Sequence, residues 1–119
     1  MSDGRRRWRV LLTDQAWRDL EDILRWTAGV FGPRQSRTYE RTIVAAVDVL
    51  ASGPSTLGVR RRDDVRPGLY SLHVARNRRR GRHFLFFKVA RGKERSIEIV
   101  RILHDSMDLG APFANDNDD

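Results

Sequence analysis

Ser96-Ile97-Glu98-Ile99-Val100-Arg101-Ile102-Leu103-His104-Asp105-Ser106-Met107-Asp108 is a β-branched and aliphatic run that breaks into a short polar segment near the C-terminus. Its first eight residues favour a strand and put branched side chains on both faces, as a central strand does. Two more strand-like stretches precede it: 82–89, which is almost continuously apolar, and Leu69-Tyr70-Ser71-Leu72-His73-Val74, which alternates. The connections at 77–81 and 91–93 have the Gly and Asn content of hairpin turns, so the three strands are expected to pair antiparallel.

Toward the N-terminus, Trp8, Val10 and Leu12 share one face of a short strand over 7–12. Thr13 and Asp14 offer an N-cap. After them Ala16, Leu20, Ile23, Leu24, Thr27, Val30 and Phe31 recur at helical spacing. Gly32-Pro33 closes that helix and opens the next, since Gly tolerates the left-handed conformation and Pro is pre-set for a first helical position. Tyr39, Ile43, Ala46, Val47 and Leu50 form the stripe of the second helix, which Ser52-Gly53-Pro54 stops. Residues 53–67 hold two prolines and the run Arg60-Arg61-Arg62-Asp63-Asp64, and read as a long connection that packs its own side chains or carries function. The predicted order is β-α-α-β-β-β. This is an α+β fold in which an N-terminal helical hairpin packs on a small, mainly antiparallel sheet. At 119 residues the chain is expected to form one domain over 1–110, followed by a polar acidic tail, 111–119, expected to be disordered.

The ending Arg101-Ile102-Leu103-His104-Asp105-Ser106-Met107-Asp108, with the apolar run from His83 to Val89 before it, resembles the close of ParE-type toxins of the RelE/ParE superfamily. The resemblance covers roughly 7–108 and implies the same element order. It further implies a toxin of a type II toxin–antitoxin system that inhibits DNA gyrase by binding. A ParD-like antitoxin would neutralise it through an acidic C-terminal segment, in a toxin–antitoxin hetero-oligomer. The alternative implied by the RelE branch is a ribosome-dependent mRNA interferase, for which Arg82 and His104 are the candidate catalytic residues. Against it, Phe87 stands where many cleaving relatives place a tyrosine, and no aromatic residue follows His104. The leading expectation is therefore a binding toxin with no catalytic residue and no cofactor.

Charge points to an acidic macromolecule. The chain carries +7, and 60–93 alone holds twelve Arg and Lys against Asp63 and Asp64, a local net of +10. Arg60, Arg61, Arg62, Arg78, Arg79 and Arg80 are accordingly the candidate antitoxin-binding cations, matched to carboxylates by guanidinium forks. Trp17 joins them because it lies off the stripe of Leu20, Ile23, Leu24 and Thr27. Trp26 is also displaced from that stripe, but reads as readily as core. No exposed aromatic platform for nucleic acid stands out, since Phe84, Phe86 and Phe87 read as core. His104 reads as a structural imidazole bonded to backbone or to Asp108, and His73 as structural or surface. Neighbours in an extended strand face opposite ways, so Asp105 is not expected to orient His104. The three histidines lack ligand spacing and there is no cysteine, so no metal site is expected and a reducing compartment is compatible. The apolar run after Arg5-Arg6-Arg7 is too short for a signal peptide or a membrane span, making the cytoplasm the expected location.

Overall fold

The computed structural model describes residues 7–92 and 94–114. Helix α1 (Asp14–Phe31) starts where Thr13 lets its Oγ1 accept the Ala16 N–H at 3.1 Å. The same hydroxyl donates to the Val100 carbonyl at 3.2 Å, so the cap also fixes the helix to the strand beneath it. Gly32 has φ 96°, a left-handed value that Gly adopts without strain, and Pro33 opens α2 (Pro33–Val49) immediately after it. Ser36 Oγ donates to the Leu24 carbonyl at 2.8 Å and locks the hairpin. A 3-10 turn (Leu50–Ser52) ends α2.

Five strands follow the order β1-β5-β4-β3-β2. They are β1 (Arg9–Leu12), β2 (Arg60–Arg61), β3 (Tyr70–His73), β4 (His83–Ala90) and β5 (Ser96–His104). β1 lies parallel to β5, and every other pairing is antiparallel. The α+β reading and the helical hairpin hold. Two elements exceed it. Arg60 and Arg61, expected inside a long connection, form a short edge strand against Tyr70 and Ser71; two residues carry too little periodicity to announce a strand. Past the boundary expected at residue 110, Gly110–Phe113 forms a helical turn, α3, and Phe113 is buried with its ring 5.5 Å from that of Phe86. The expected tail is thus packed at least as far as this aromatic anchor; 115–119 lie outside the described residues.

Both faces of the sheet are covered. Leu72, Val74, Leu85, Phe87, Ile97, Ile99 and Ile102 meet Ala16, Leu20, Ile43, Ala46 and Leu50 under the hairpin. Leu69, Phe86 and Leu103 meet Phe113 on the other side, with Val65 and Leu109 packed around them. The pattern in β5 has a specific cause. Phe86 pairs with Arg101 and Phe87 with Ile99, leaving Val100 as an extra residue. This bulge shifts the alternation by one, so Ile102 rejoins Ile97 and Ile99 beneath the helices. Beside it Asp19 on α1, itself buried, accepts from Arg101 Nε at 2.9 Å, Arg101 Nη2 at 3.1 Å and the Ile102 N–H at 2.9 Å. The arginine of the strand ending is therefore an anchor for α1.

Candidate partner-binding site

Antiparallel pairing sets His83, the first residue of β4, opposite His104, the last of β5. The end of α1 and the start of α2 lie over this end of the sheet, and an open cleft of about 460 Å³ remains between them. Trp26 and Phe31 form one wall, their rings 5.9 Å apart and edge to face. Arg80, Arg82, His83 and His104 form the other, with Tyr39 between. The apolar stripe of α1 runs on past Thr27, its last buried residue, to Val30 at 54 % and Phe31 at 63 % exposure; Trp26 is 62 % exposed. An apolar wall of this kind, rimmed by cations, is a surface awaiting a partner.

The polar side of the cleft is tied up internally. Tyr39 Oη accepts the Arg82 N–H at 3.0 Å and is hydrogen-bonded to His83 Nδ1 at 2.7 Å, the donor being set by the imidazole tautomer. His104 Nδ1 takes the Ser106 N–H at 3.1 Å and lies 2.8 Å from Ser106 Oγ. His73 Nδ1 takes the Ala75 N–H at 3.0 Å, which leaves its Nε2 to donate to Asp105 at 2.9 Å. His73 and His104 thus spend their Nδ1 lone pairs and, when neutral, carry the proton on Nε2. Burial, reinforced by the neighbouring His104, pushes His83 down to about 4. Burial also raises the Tyr39 phenol. Asp105 is held down at about 2, first by the hydrogen bond from Arg82 and then by that from His73. Arg82 Nε reaches both carboxylate oxygens, at 3.1 and 3.2 Å.

The profile of the family described as "ParE toxin of type II toxin-antitoxin system, parDE" matches residues 10–109. The chain belongs to the ParE toxin family. It is 36 % identical over 101 residues to "Toxin ParE1" of Mycobacterium tuberculosis, in strains CDC 1551 / Oshkosh and ATCC 25618 / H37Rv alike, which is 85 % of this chain and 93 % of that relative. Among solved structures it is similar to "Chromosomal ParDE TA system from P. aeruginosa", with TM-score 0.65 and 24 % identity over 82 % of this chain and 95 % of that one. That likeness is one of fold.

In this ParE-family chain the expected site residues fall in separate places. Trp17, 52 % exposed, sits in the first half of α1, nine residues and about 14 Å along the axis from Trp26. Trp26 belongs to the exposed wall, which decides between its two readings against core and supplies an aromatic platform that the strand phenylalanines do not. Arg60 and Arg61 lie on the edge strand, Arg61 paired with Asp63 at 2.9 Å. Arg62 is mostly covered: it binds Asp64 at 3.2 Å and its guanidinium lies 5.7 and 5.6 Å from the Phe84 and Phe86 ring centres. Arg78, Arg79 and Arg80 are exposed on the turn before β4, and Arg80 reaches the cleft. Arg82 and His104 share the cleft but engage different partners. His104 binds Ser106, whereas Asp108, its other expected partner, caps the Gly110 N–H at 3.0 Å. Asp105 serves Arg82 and His73, and its closest approach to His104 Nδ1 is 3.7 Å.

Sequence reading grouped His83 with Arg82 and His104 but missed Tyr39 and Phe31 as site residues. Tyr39 looked like a helix-stripe position, and only the packing of α2 on the sheet brings it to His83. For Phe31 a signal existed, because it ends the stripe directly before Gly32-Pro33, where a helix runs out of neighbours. Among the described residues no set of three His, Cys, Asp or Glu side chains could hold a metal ion, and no helix is long and apolar enough to cross a membrane.

Proposed function

We propose that this ParE-family chain is a cytoplasmic toxin that arrests its target, DNA gyrase, by binding it, and that a ParD-like antitoxin silences it in a hetero-oligomer. The observation that carries the binding reading is the state of the three imidazoles. In-line cleavage of RNA needs a base with a free lone pair to take the 2′-hydroxyl proton. His73 and His104 each accept a backbone N–H at Nδ1 and, when neutral, offer an Nε2–H, a donor, while His83 Nδ1 is engaged with Tyr39 Oη. His83, at about 4, is neutral near pH 7, and the N–H of a neutral imidazole is too weak an acid to protonate a leaving oxygen. What the cleft offers is surface: Trp26 and Phe31 beside Arg80 and Arg82. An amphipathic acidic segment, as the antitoxin's C-terminal part is on this reading, sets its apolar face on the aromatic wall and its carboxylates on the arginines.

The test is supercoiling by purified gyrase with and without the free protein. Inhibition with accumulation of cleaved DNA, relieved by the antitoxin, is expected. Undiminished supercoiling overturns the gyrase assignment. The mRNA interferase reading is kept as the second because Arg82 and His104 do share a cleft with two exposed aromatic rings on which bases can stack. It predicts transcript cleavage on ribosomes that disappears with His104→Ala.

A further inference from the structure

Among the described residues seven arginines are paired with carboxylates, and three that are not stand side by side on one turn. Arg7, Arg9, Arg25, Arg61, Arg62, Arg82 and Arg101 each lie within 4 Å of an Asp or Glu. Arg78, Arg79 and Arg80, consecutive on the turn between β3 and β4, have no side-chain partner among the described residues. The turn is nonetheless well determined. Asn77 and Arg78 take φ 50° and 68°, a left-handed pair, and the Arg79 N–H closes onto the Arg76 carbonyl at 2.8 Å. Arg76 is folded back, its Nη1 donating to the Leu57 carbonyl at 2.7 Å while its buried Nε finds no acceptor. At the other end Gly81 is wedged: a Cβ there would come within 2.5 Å of Val74 Cγ2 and 3.1 Å of the Tyr39 ring. Both ends are pinned and three adjacent cations are held out, the first of them, Arg78, on a left-handed backbone that non-glycine residues seldom adopt.

We propose that this turn is a contact site for the phosphate backbone of duplex DNA, separate from the cleft assigned to the antitoxin. Three features choose the partner. From Arg76 to Arg80 every side chain is polar, so the tip lacks the buried aromatic or aliphatic anchor on which protein interfaces depend. Phosphate contacts need no such anchor: arginine meets phosphate with paired N–H groups, and release of condensed counterions drives binding. Single-stranded nucleic acid is disfavoured because the rings that could stack bases, Trp26 and Phe31, line the cleft, which of these three arginines only Arg80 reaches. Within the fold Arg76 and Gly81 are positioning residues, and Arg78 and Arg79 make the contact. DNA held in this way carries no sequence preference.

The test is fluorescence anisotropy of a labelled 20-base-pair duplex with the purified protein, without gyrase, across a potassium chloride series. The two phosphate contacts of Arg78 and Arg79 predict a slope of log affinity against log salt that is steeper by about 1.8 in the wild type than in the double variant Arg78→Asn/Arg79→Gln. Asn keeps the left-handed backbone at position 78, and circular dichroism confirms the fold. The variant Arg78→Lys/Arg79→Lys, which keeps both charges, is expected to restore most of the slope. Absence of salt-dependent binding by the wild type, or an unchanged slope in the Asn/Gln variant, overturns the proposal. So does loss of antitoxin capture by that variant with DNA binding intact, which would assign the turn to a protein partner. No arm reads gyrase activity, so failure here leaves the gyrase assignment standing, and the reverse holds.

Discussion

Two aspartate–arginine pairs tie this molecule together, and they teach opposite lessons. Asp19 is 8 % exposed and spends its carboxylate on Arg101, on the Ile102 N–H and on Gln15 Nε2, joining α1 to β5. Asp105, at 21 % side-chain exposure, spends its own on Arg82 and His73 at the rim of the cleft. The chemistry is the same, and the surroundings differ. Within the core, loss of one partner strands a charge that water cannot reach, so the pair acts as scaffold. At the rim, water substitutes for either partner, and the pair's effect is to aim side chains.

Breaking the buried pair is expected to have the largest effect. Asp19→Ala should destabilise the fold by about 3–5 kcal/mol, measured by urea denaturation, because Arg101 and the Ile102 N–H both lose their acceptor. The double variant Asp19→Leu/Arg101→Met should recover part of that loss but leave the Ile102 N–H unsatisfied. Trp26→Ala/Phe31→Ala should leave the denaturation midpoint nearly unchanged, since both rings are more than half exposed, and should weaken the antitoxin complex by about 2 kcal/mol or more in calorimetry.

Next in size is a pH effect at the rim. His83 is depressed to about 4 in the folded chain, so an unfolded chain takes up the proton first as pH falls below about 6.5. Stability contributed by neutral His83 is therefore full above that pH and is lost between about 6.5 and 4, on the order of 2 kcal/mol after allowance for solvent screening. Asp105, depressed to about 2, adds a further loss as pH falls from about 3.8 toward 2. Tyr39→Phe removes the hydroxyl bonded to His83 Nδ1; it should shift the His83 titration midpoint, read by NMR, with a matching change in the upper part of the acid profile. The smallest effect is expected for Asp105→Asn near neutral pH: about 1 kcal/mol in stability, read by urea denaturation.

The ordering of these effects follows how each part was legible in the sequence. Helical stripes ending at Gly32-Pro33 and alternating or continuous strand runs announce themselves locally, because their periods are set by backbone geometry within a few residues. The ending at Arg101-Ile102-Leu103-His104 indicated the family, although its arginine proved to be an anchor for α1 and its histidine a partner of Ser106. The cleft was not legible. Its walls come from residues 26, 31, 39, 80, 82, 83 and 104, and nothing local joins them.

From the sequence alone came the element order, the helical hairpin, the antiparallel run of strands, the basic stretch and the family likeness, all short-range or compositional. Tertiary structure alone decided that β1 joins β5 in parallel and that a bulge at Val100 returns Ile102 to the core. It alone decided that Phe113 seals the second face and that Trp26 and Phe31 stay uncovered beside a set of satisfied imidazoles. The physical reason is range: register, burial and hydrogen-bond satisfaction depend on pairs of residues far apart in the chain, which meet only after the sheet has formed.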